Sequence, residues 1–272
     1  MTPGERSLTF REREFRGSRL RCLLLTSDAR PRVAEFLTSL IGPHDRVTEQ
    51  DHWAPRGFLE PGEARLGNAP DFLSPVRRDA LTNWWLARAG RANTPNWDLV
   101  STCTITAHED AIDRQKGLVL VEAKAHEGEL SEGRCVAKSE NRQRIDEALA
   151  KATEEWNALL PPGSIPRFNL TASSHYQFSN RFAFALKLAT MGVPVVLVYL
   201  GFLDAHEMKG SGCRSLRDHA QWRDRVLART KETVPPAVWD RTFDVAGTPL
   251  TVLIRSAVVG IDARVSAVAT VV

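Results

Sequence analysis

The chain has 272 residues, of which 43% are hydrophobic and 25% are charged, and its formal net charge is +3 at pH 7. No apolar run reaches the roughly 20 residues that cross a bilayer, and the arginine-rich start lacks the apolar segment of a signal peptide. The four cysteines form no CxxC pair, which excludes a recognisable zinc knuckle or disulfide framework. We therefore expect a cytoplasmic protein with no membrane partner.

The first hundred residues are less regular than the rest of the chain. Residues 19–26 are predicted to form a strand, residues 31–41 a short helix, and residues 73–89 a helix with apolar side chains at helical spacing. We expect residues 1–90 to form a helical or irregular extension packed on a core that residues 91–272 build.

The remaining chain alternates between apolar strands and amphipathic helices, which predicts an α/β fold with a central mixed sheet flanked by helices in three layers. The strands are expected at 97–105, 117–126, 194–202 and 250–254, and the helices at 138–159, 174–191 and 214–230. The first two strands are joined by a short polar turn and are expected to form a hairpin.

Two charged residues interrupt the most apolar of these strands. Strand side chains alternate between faces, so Glu122 and Lys124 share one face, and His126 extends the row. Buried charges are costly without partners, so the pair either forms a simple ion pair or carries a function. The same pattern in Glu207-Met208-Lys209 lies in a polar loop and is interpreted as a solvated surface pair.

Asp98 distinguishes the first pattern from the second. It precedes Leu99 and Val100 in the neighbouring strand, and the hairpin allows it to face Glu122. Two close carboxylates repel each other unless a cation neutralises them, and oxygen ligands of this kind bind Mg²⁺. Lys124 can then orient the attacking water, help to deprotonate it, or stabilise charge on a phosphate.

An aspartate on one strand and Glu-x-Lys on the next, followed by a helix, resembles the PD-(D/E)XK nuclease superfamily over roughly residues 97–203. The resemblance implies a restriction-endonuclease-like core, with Asp98, Glu122 and the carbonyl of Ala123 as ligands of Mg²⁺ or Mn²⁺ and Lys124 as the catalytic lysine. The literal Pro-Asp pair is Pro70-Asp71, which would place a helix between the acidic motifs, so Asp98 is preferred.

Further polar residues are candidates for substrate contacts. Gln177, Asn180 and Arg181 share one face of a mostly buried helix, and the resemblance implies that such a helix offers a polar residue, often Gln, to a phosphate or an attacking water. Gln177 is therefore assigned a catalytic role, and Asn180 and Arg181 substrate binding. The alternative is an interior network in which Arg181 pairs with a carboxylate of the sheet.

Asn141 and His126 are also predicted to bind substrate. Asn141 lies on the apolar stripe of its helix, although it can instead satisfy backbone donors there. His126 can be structural at its strand end. The upstream loop contains Glu60 and Glu63, at a place where some superfamily members carry an extra acidic ligand.

The sequence thus predicts an enzyme, a metal-dependent nuclease that hydrolyses the phosphodiester bonds of nucleic acid, with DNA as the favoured substrate and a homodimer as one arrangement. One alternative is an inactive nuclease-like protein that binds nucleic acid or serves as a scaffold. Another is a metal site that acts on a different substrate, which the modest charge permits.

Overall fold

The computed structural model describes residues 17–42, 45–88, 92–106, 114–130, 133–137, 139–206, 214–260 and 269–271. Its strands are β1 (Trp53–Ala54), β2 (Ala64–Arg65), β3 (Asn96–Trp97), β4 (Leu99–Thr106), β5 (Arg114–Lys124), β6 (Val195–Leu203), β7 (Arg241–Val245), β8 (Thr248–Val259) and β9 (Ala269–Val271). Its α-helices are α1 (Gly17–Thr26), α2 (Arg30–Ile41), α3 (Pro75–Trp85), α4 (Ser139–Leu159), α5 (Tyr176–Thr190) and α6 (His219–Thr230).

Seven of the strands in these ranges form one mixed sheet in the order β1-β4-β5-β6-β8-β7, and β9 pairs with the last residues of β8. The strands β4 and β5 form the predicted antiparallel hairpin, whereas β5, β6 and β8 are mutually parallel. The strands β2 and β3 form a separate small antiparallel pair. The parallel centre is reached through α4 and α5, the crossover that parallel pairing requires.

The register leaves the end of β5 with a neighbour on one side only. Pairing with β4 stops at Leu99↔Val121, while pairing with β6 continues to Lys124↔Gly201. The segment from Glu122 to Lys124 therefore has one edge next to β6 and another edge that β4 does not cover. A side chain can reach that second edge.

Helices cover both faces of the sheet, which confirms the α/β class and fits a three-layer arrangement. Val119 and Val121 pack with α1 and α2, whereas Leu118 and Leu120 pack in the other cluster with α3, α4, α5 and α6. Because side chains alternate along a strand, Glu122 and Lys124 continue the second series and face α5. The prediction that they share a face is confirmed.

The predicted strand at residues 19–26 is wrong, because this segment is the helix α1. A short apolar run does not by itself distinguish a buried strand from a buried helix. In the structure the run buries Cys22 and Leu25 against the sheet in the cluster that also contains α2. The strands β1, β2, β7 and β9 were not predicted, and the strand expected at 250–254 is the longer β8.

The N-terminal segments take part in the main fold. The strand β1 pairs with β4, and α1 and α2 supply one of the two covering layers. The prediction that residues 1–90 form an extension on a separate core stays a prediction. In the described part of the chain, no helix combines the length and the apolar character needed to span a bilayer.

Candidate active site

Asp98 lies at a bend between β3 and β4 rather than inside a continuous strand. The Oδ2 atom of its half-buried carboxyl accepts a hydrogen bond of 2.8 Å from the backbone N–H of Ala123. This is the edge of β5 that β4 leaves uncovered, so the side chain of Asp98 takes the place of a strand neighbour. The bond fixes Asp98 beside the Glu122-Ala123-Lys124 segment.

Glu122 is fully buried and bonded to two cations. Its Oε1 accepts a short hydrogen bond from Nζ of Lys124, and its Oε2 accepts one of 2.6 Å from Nε of Arg181 on α5. Both cationic side chains are themselves buried. An ion pair in such a place is tolerated because each carboxylate oxygen receives a charged donor. The two ion pairs that the sequence left open as alternatives, Glu122 with Lys124 and Arg181 with a carboxylate of the sheet, are both present.

Besides its ion pair with Glu122, the guanidinium of Arg181 makes two further hydrogen bonds and a contact with an aromatic ring. Its Nη2 donates to the carbonyl of Asn96 at 2.6 Å, and its Nη1 donates to Oδ1 of Asn180 at 2.8 Å. The guanidinium also lies over the ring of Trp97, 4.4 Å from the ring centroid. Because Asn96 and Trp97 directly precede Asp98, Arg181 links α5 to both halves of the acidic pair.

The electrostatics separate the two carboxyls. Burial and the charge of Glu122 raise the pKa of Asp98 from its ordinary 3.8 to about 7. Burial alone would raise the pKa of Glu122, but the charges of Arg181 and Lys124 outweigh burial and hold that pKa below its usual value. Burial would lower the pKa of Lys124, but Glu122 and Asp98 raise it above its usual value. Lys124 is therefore cationic at neutral pH.

The raised pKa of Asp98 predicts a pH-dependent stability in the metal-free protein. The pKa of Asp98 is higher in the folded state than its ordinary 3.8, so protonation of this carboxyl stabilises the fold, and the effect is complete below the ordinary pKa of 3.8. That contribution is lost as pH rises through about 7. Relative to Asp98→Asn, the free energy of unfolding of the wild type should fall between about pH 4 and pH 7 and level off above that range, measured by urea denaturation in EDTA. Parallel curves for the two proteins would contradict this expectation, since groups common to both cancel.

A cavity of about 430 Å³ opens beside this cluster. It is lined by Trp85, Asn93, Pro95, Asn96, Gly133, Tyr176, Gln177, Asn180 and Arg181. The structure thus brings three of the predicted substrate-contacting residues, Gln177, Asn180 and Arg181, to one cavity next to Glu122. Gln177 is half-buried there and follows Tyr176 in α5.

The other two predicted substrate contacts lie elsewhere. Asn141 donates to the carbonyl of Arg88 at 3.0 Å and accepts from its N–H at 2.9 Å, so its amide fixes the segment after α3. His126 is buried beyond the end of β5, where its Nε2 lies 3.7 Å from Oε1 of Glu129. Neither residue lines the cavity. Their substrate-binding roles stay predictions, and the structure gives Asn141 the backbone-satisfying role that was its alternative.

Three residues that support the candidate site had not been predicted from the sequence. Glu129 accepts a hydrogen bond from the backbone N–H of Ala125 and lies 3.3 Å from the backbone nitrogen of Ser18, so it joins the end of β5 to the start of α1. Tyr199 pairs with Glu122 in the register of β5 and β6, and it is buried. The ring of Trp97 supports Arg181. Of the three, only Trp97 could have been inferred from the sequence, because it lies next to Asp98.

Glu63, a candidate extra ligand, is engaged by neutral and cationic donors. Its Oε2 accepts from Nδ2 of Asn96 at 2.9 Å, and its Oε1 lies 3.3 Å from Nη1 of Arg19. Glu60 forms an ion pair with Arg56 at 3.7 Å. Glu207-Met208-Lys209, the second copy of the Glu-x-Lys pattern, lies outside the described residues.

The oxygen donors at this site are of the type that binds a hard divalent cation such as Mg²⁺. Asp98 and Glu122 are carboxylates beside one strand, and the charge of Asp98 is destabilised by Glu122 in a way that a cation would relieve. Within the described ranges no group of three or more His, Cys, Asp or Glu side chains could hold a metal ion. Any ion here would therefore depend on this carboxylate pair, a backbone carbonyl such as that of Ala123, and water.

Comparisons with protein-family models, with curated proteins and with solved structures return no match for this chain.

Proposed function

We propose that this protein is a metal-dependent nuclease that hydrolyses phosphodiester bonds of nucleic acid, with DNA as the favoured substrate. The observation that carries the proposal is the hydrogen bond between Asp98 and the backbone of Ala123. It fixes the aspartate against the Glu122-x-Lys124 strand and makes one site of residues that are far apart in the sequence. A pair of unrelated charged residues would not need this arrangement.

The strand order supports a restriction-endonuclease-like core. An aspartate precedes β4, the Glu-x-Lys motif ends β5, helices follow, and the next strand is parallel to β5. The aspartate, the Glu-x-Lys strand and the helix after it are the features on which the resemblance to the PD-(D/E)XK superfamily is based. The resemblance covers this part of the chain, and the layer formed by α1 and α2 lies on the opposite face.

In this proposal Asp98, Glu122 and the carbonyl of Ala123 hold Mg²⁺ or Mn²⁺. When bound, the ion supplies Lewis-acid polarisation of a phosphate and lowers the pKa of a coordinated water. The cavity accommodates the substrate strand, with Gln177, Asn180 and Arg181 as hydrogen-bond donors to phosphate oxygens. A homodimer that cuts both strands of a duplex is compatible with this assignment.

Lys124 is assigned an electrostatic role rather than that of a base. Its pKa lies above the usual lysine value because of Glu122 and Asp98, although burial opposes this. A lysine that is protonated at neutral pH donates hydrogen bonds and stabilises negative charge, but it does not accept a proton from water. Of the roles that the sequence leaves open, orienting a water molecule and stabilising the charge on the phosphate are therefore favoured.

The test is cleavage of supercoiled plasmid, linear duplex, single-stranded DNA and RNA in Mg²⁺, Mn²⁺ or EDTA. We expect cleavage of at least one substrate that requires the metal and disappears in Glu122→Gln. Glu147→Gln, a change of an exposed glutamate on α4, is the matched control and should cleave like the wild type. Cleavage that continues in EDTA or in Glu122→Gln would reject the assignment of the site.

A second candidate is a catalytically inactive protein that binds nucleic acid or acts as a scaffold. This candidate is supported by the ion pairs of Glu122, whose two carboxylate oxygens bind Lys124 and Arg181. These pairs compensate the charge of Glu122 without any bound ion. This alternative predicts nucleic-acid binding that EDTA does not change, and no cleavage of any of the four substrates.

A further inference from the structure

We infer that Arg181 couples metal binding to substrate binding: it keeps the affinity of the acidic pair for a divalent ion low until a phosphate of the substrate pairs with its guanidinium. The inference depends on the proposed function and specifies how that site is regulated. It assigns to Arg181 a positioning and coupling role in addition to contact with substrate.

The cluster contains two acidic and two basic side chains. Asp98 and Glu122 are the carboxylates, and Lys124 and Arg181 are the cations that surround them. A divalent ion at Glu122 would therefore lie close to two positive side chains inside a buried site. Repulsion between such charges is much stronger there than in water, so the metal-free arrangement opposes metal binding.

The two cations differ in their access to the cavity. Arg181 lines the cavity beside the site, and Lys124 does not. The described residues that line this cavity include no aspartate or glutamate. An anion that enters it therefore meets Arg181 as its charged partner, without repulsion from an acidic residue of the cavity wall.

The guanidinium of Arg181 has more hydrogen-bond donors than its protein partners use. Arginine has five N–H donors in a fixed planar arrangement. The bonds from Arg181 to Glu122, Asn96 and Asn180 employ one hydrogen on each of its nitrogens. A second hydrogen on Nη1 and on Nη2 can bond a phosphate oxygen, so the phosphate can neutralise the guanidinium with its protein bonds in place.

The consequence is reciprocal coupling. A phosphodiester that pairs with Arg181 lowers the repulsion experienced by the metal, and a bound metal must by linkage raise the affinity for that phosphodiester. The ion and the substrate then bind cooperatively, and the substrate-free protein holds metal weakly.

The experiment measures Mn²⁺ binding to the full chain by the electron paramagnetic resonance signal of free Mn²⁺, without any assay of cleavage. One titration contains a short single-stranded phosphorothioate oligonucleotide, whose charged backbone resists hydrolysis. The control contains the same sequence with an uncharged methylphosphonate backbone, and each oligonucleotide is also titrated alone to subtract its own Mn²⁺ binding. We expect the charged oligonucleotide to raise the Mn²⁺ affinity about fivefold or more, and the uncharged one to change it less than about twofold.

Arg181→Gln provides the second arm. It should bind Mn²⁺ more tightly than the wild type without oligonucleotide, and the gain in affinity from the charged backbone should shrink by about twofold or more, because only direct contact between the ion and a phosphate remains. If this variant does not fold, as judged by circular dichroism, Arg181→Met, which keeps most of the aliphatic volume, takes its place. A gain equal to that of the wild type overturns coupling through Arg181. Equal Mn²⁺ affinity with both backbones overturns the coupling while leaving a nuclease possible, whereas no Mn²⁺ binding with either backbone overturns the coupling and the proposed metal site together.

Discussion

Replacing Lys124 with alanine is expected to reduce metal-dependent cleavage by about 10²-fold to 10⁴-fold, the range for loss of a positioned charged group that acts in the transition state. Lys124 is bonded to Glu122 and stays cationic, so the variant removes the buried ammonium that would orient water or stabilise charge on the phosphate. The measurement is the initial rate of cleavage of the best substrate at saturating Mg²⁺ or Mn²⁺.

Two other lysines provide matched controls for this loss. Lys116→Ala changes the same strand at a position where the side chain is 77% exposed and paired with Asp51. Lys209→Ala changes the second Glu-x-Lys pattern of the chain. Both variants should cleave at close to the wild-type rate. A Lys124→Ala protein that unfolds above the assay temperature and still cleaves at more than about a tenth of the wild-type rate would contradict the assignment.

Replacing Arg181 with methionine is expected to lower the free energy of unfolding by about 3–5 kcal/mol, the cost of leaving one member of a buried ion pair without its partner. The variant removes the bond to Glu122 as well as those to Asn96 and Asn180, and it keeps most of the aliphatic volume. The loss should appear as a lower denaturation midpoint in urea with the slope unchanged.

An ion pair on the protein surface provides the comparison. Arg142→Met breaks the pair with Asp146, whose members are 33% and 50% exposed, and should change stability by less than about 1 kcal/mol. Combining Arg181→Met with Glu122→Gln should recover part of the loss, because the charge left alone in the single variant is then absent. Equal effects of Arg181→Met and Arg142→Met would show that the buried pair does not stabilise the fold.

The elements that carry the candidate site could be predicted because their patterns are strong. The strand β6 is buried at every residue, β5 is apolar from Leu118 to Val121, and α4 repeats apolar residues at helical spacing. The alternation along β5 placed Glu122 and Lys124 on one face, and the structure confirms this. These are local properties, set by the geometry of a single element.

What could not be predicted depends on contacts between distant elements. The segment of α1 has the composition of either a strand or a helix, and packing on the sheet decides between them. The backbone N–H of Ala123 can donate to Oδ2 of Asp98 because the pairing of β4 with β5 ends at Leu99↔Val121. The hydrogen bond from the backbone N–H of Ser18 to Glu129 joins the start of α1 to the segment after β5, and the two residues are 111 positions apart in the sequence.

The register of the hairpin has a consequence for how this chain can diverge. Because Asp98 meets β5 just beyond the last β4–β5 pair, Leu99↔Val121, the connection between the two strands can gain or lose residues without altering the site. A single-residue insertion within β5 ahead of Glu122 would instead turn Glu122 and Lys124 toward α1 and α2, because strand side chains alternate. In a set of descendant sequences, length variation should therefore concentrate between residues 106 and 114, and the spacing from Leu118 to Lys124 should be invariant.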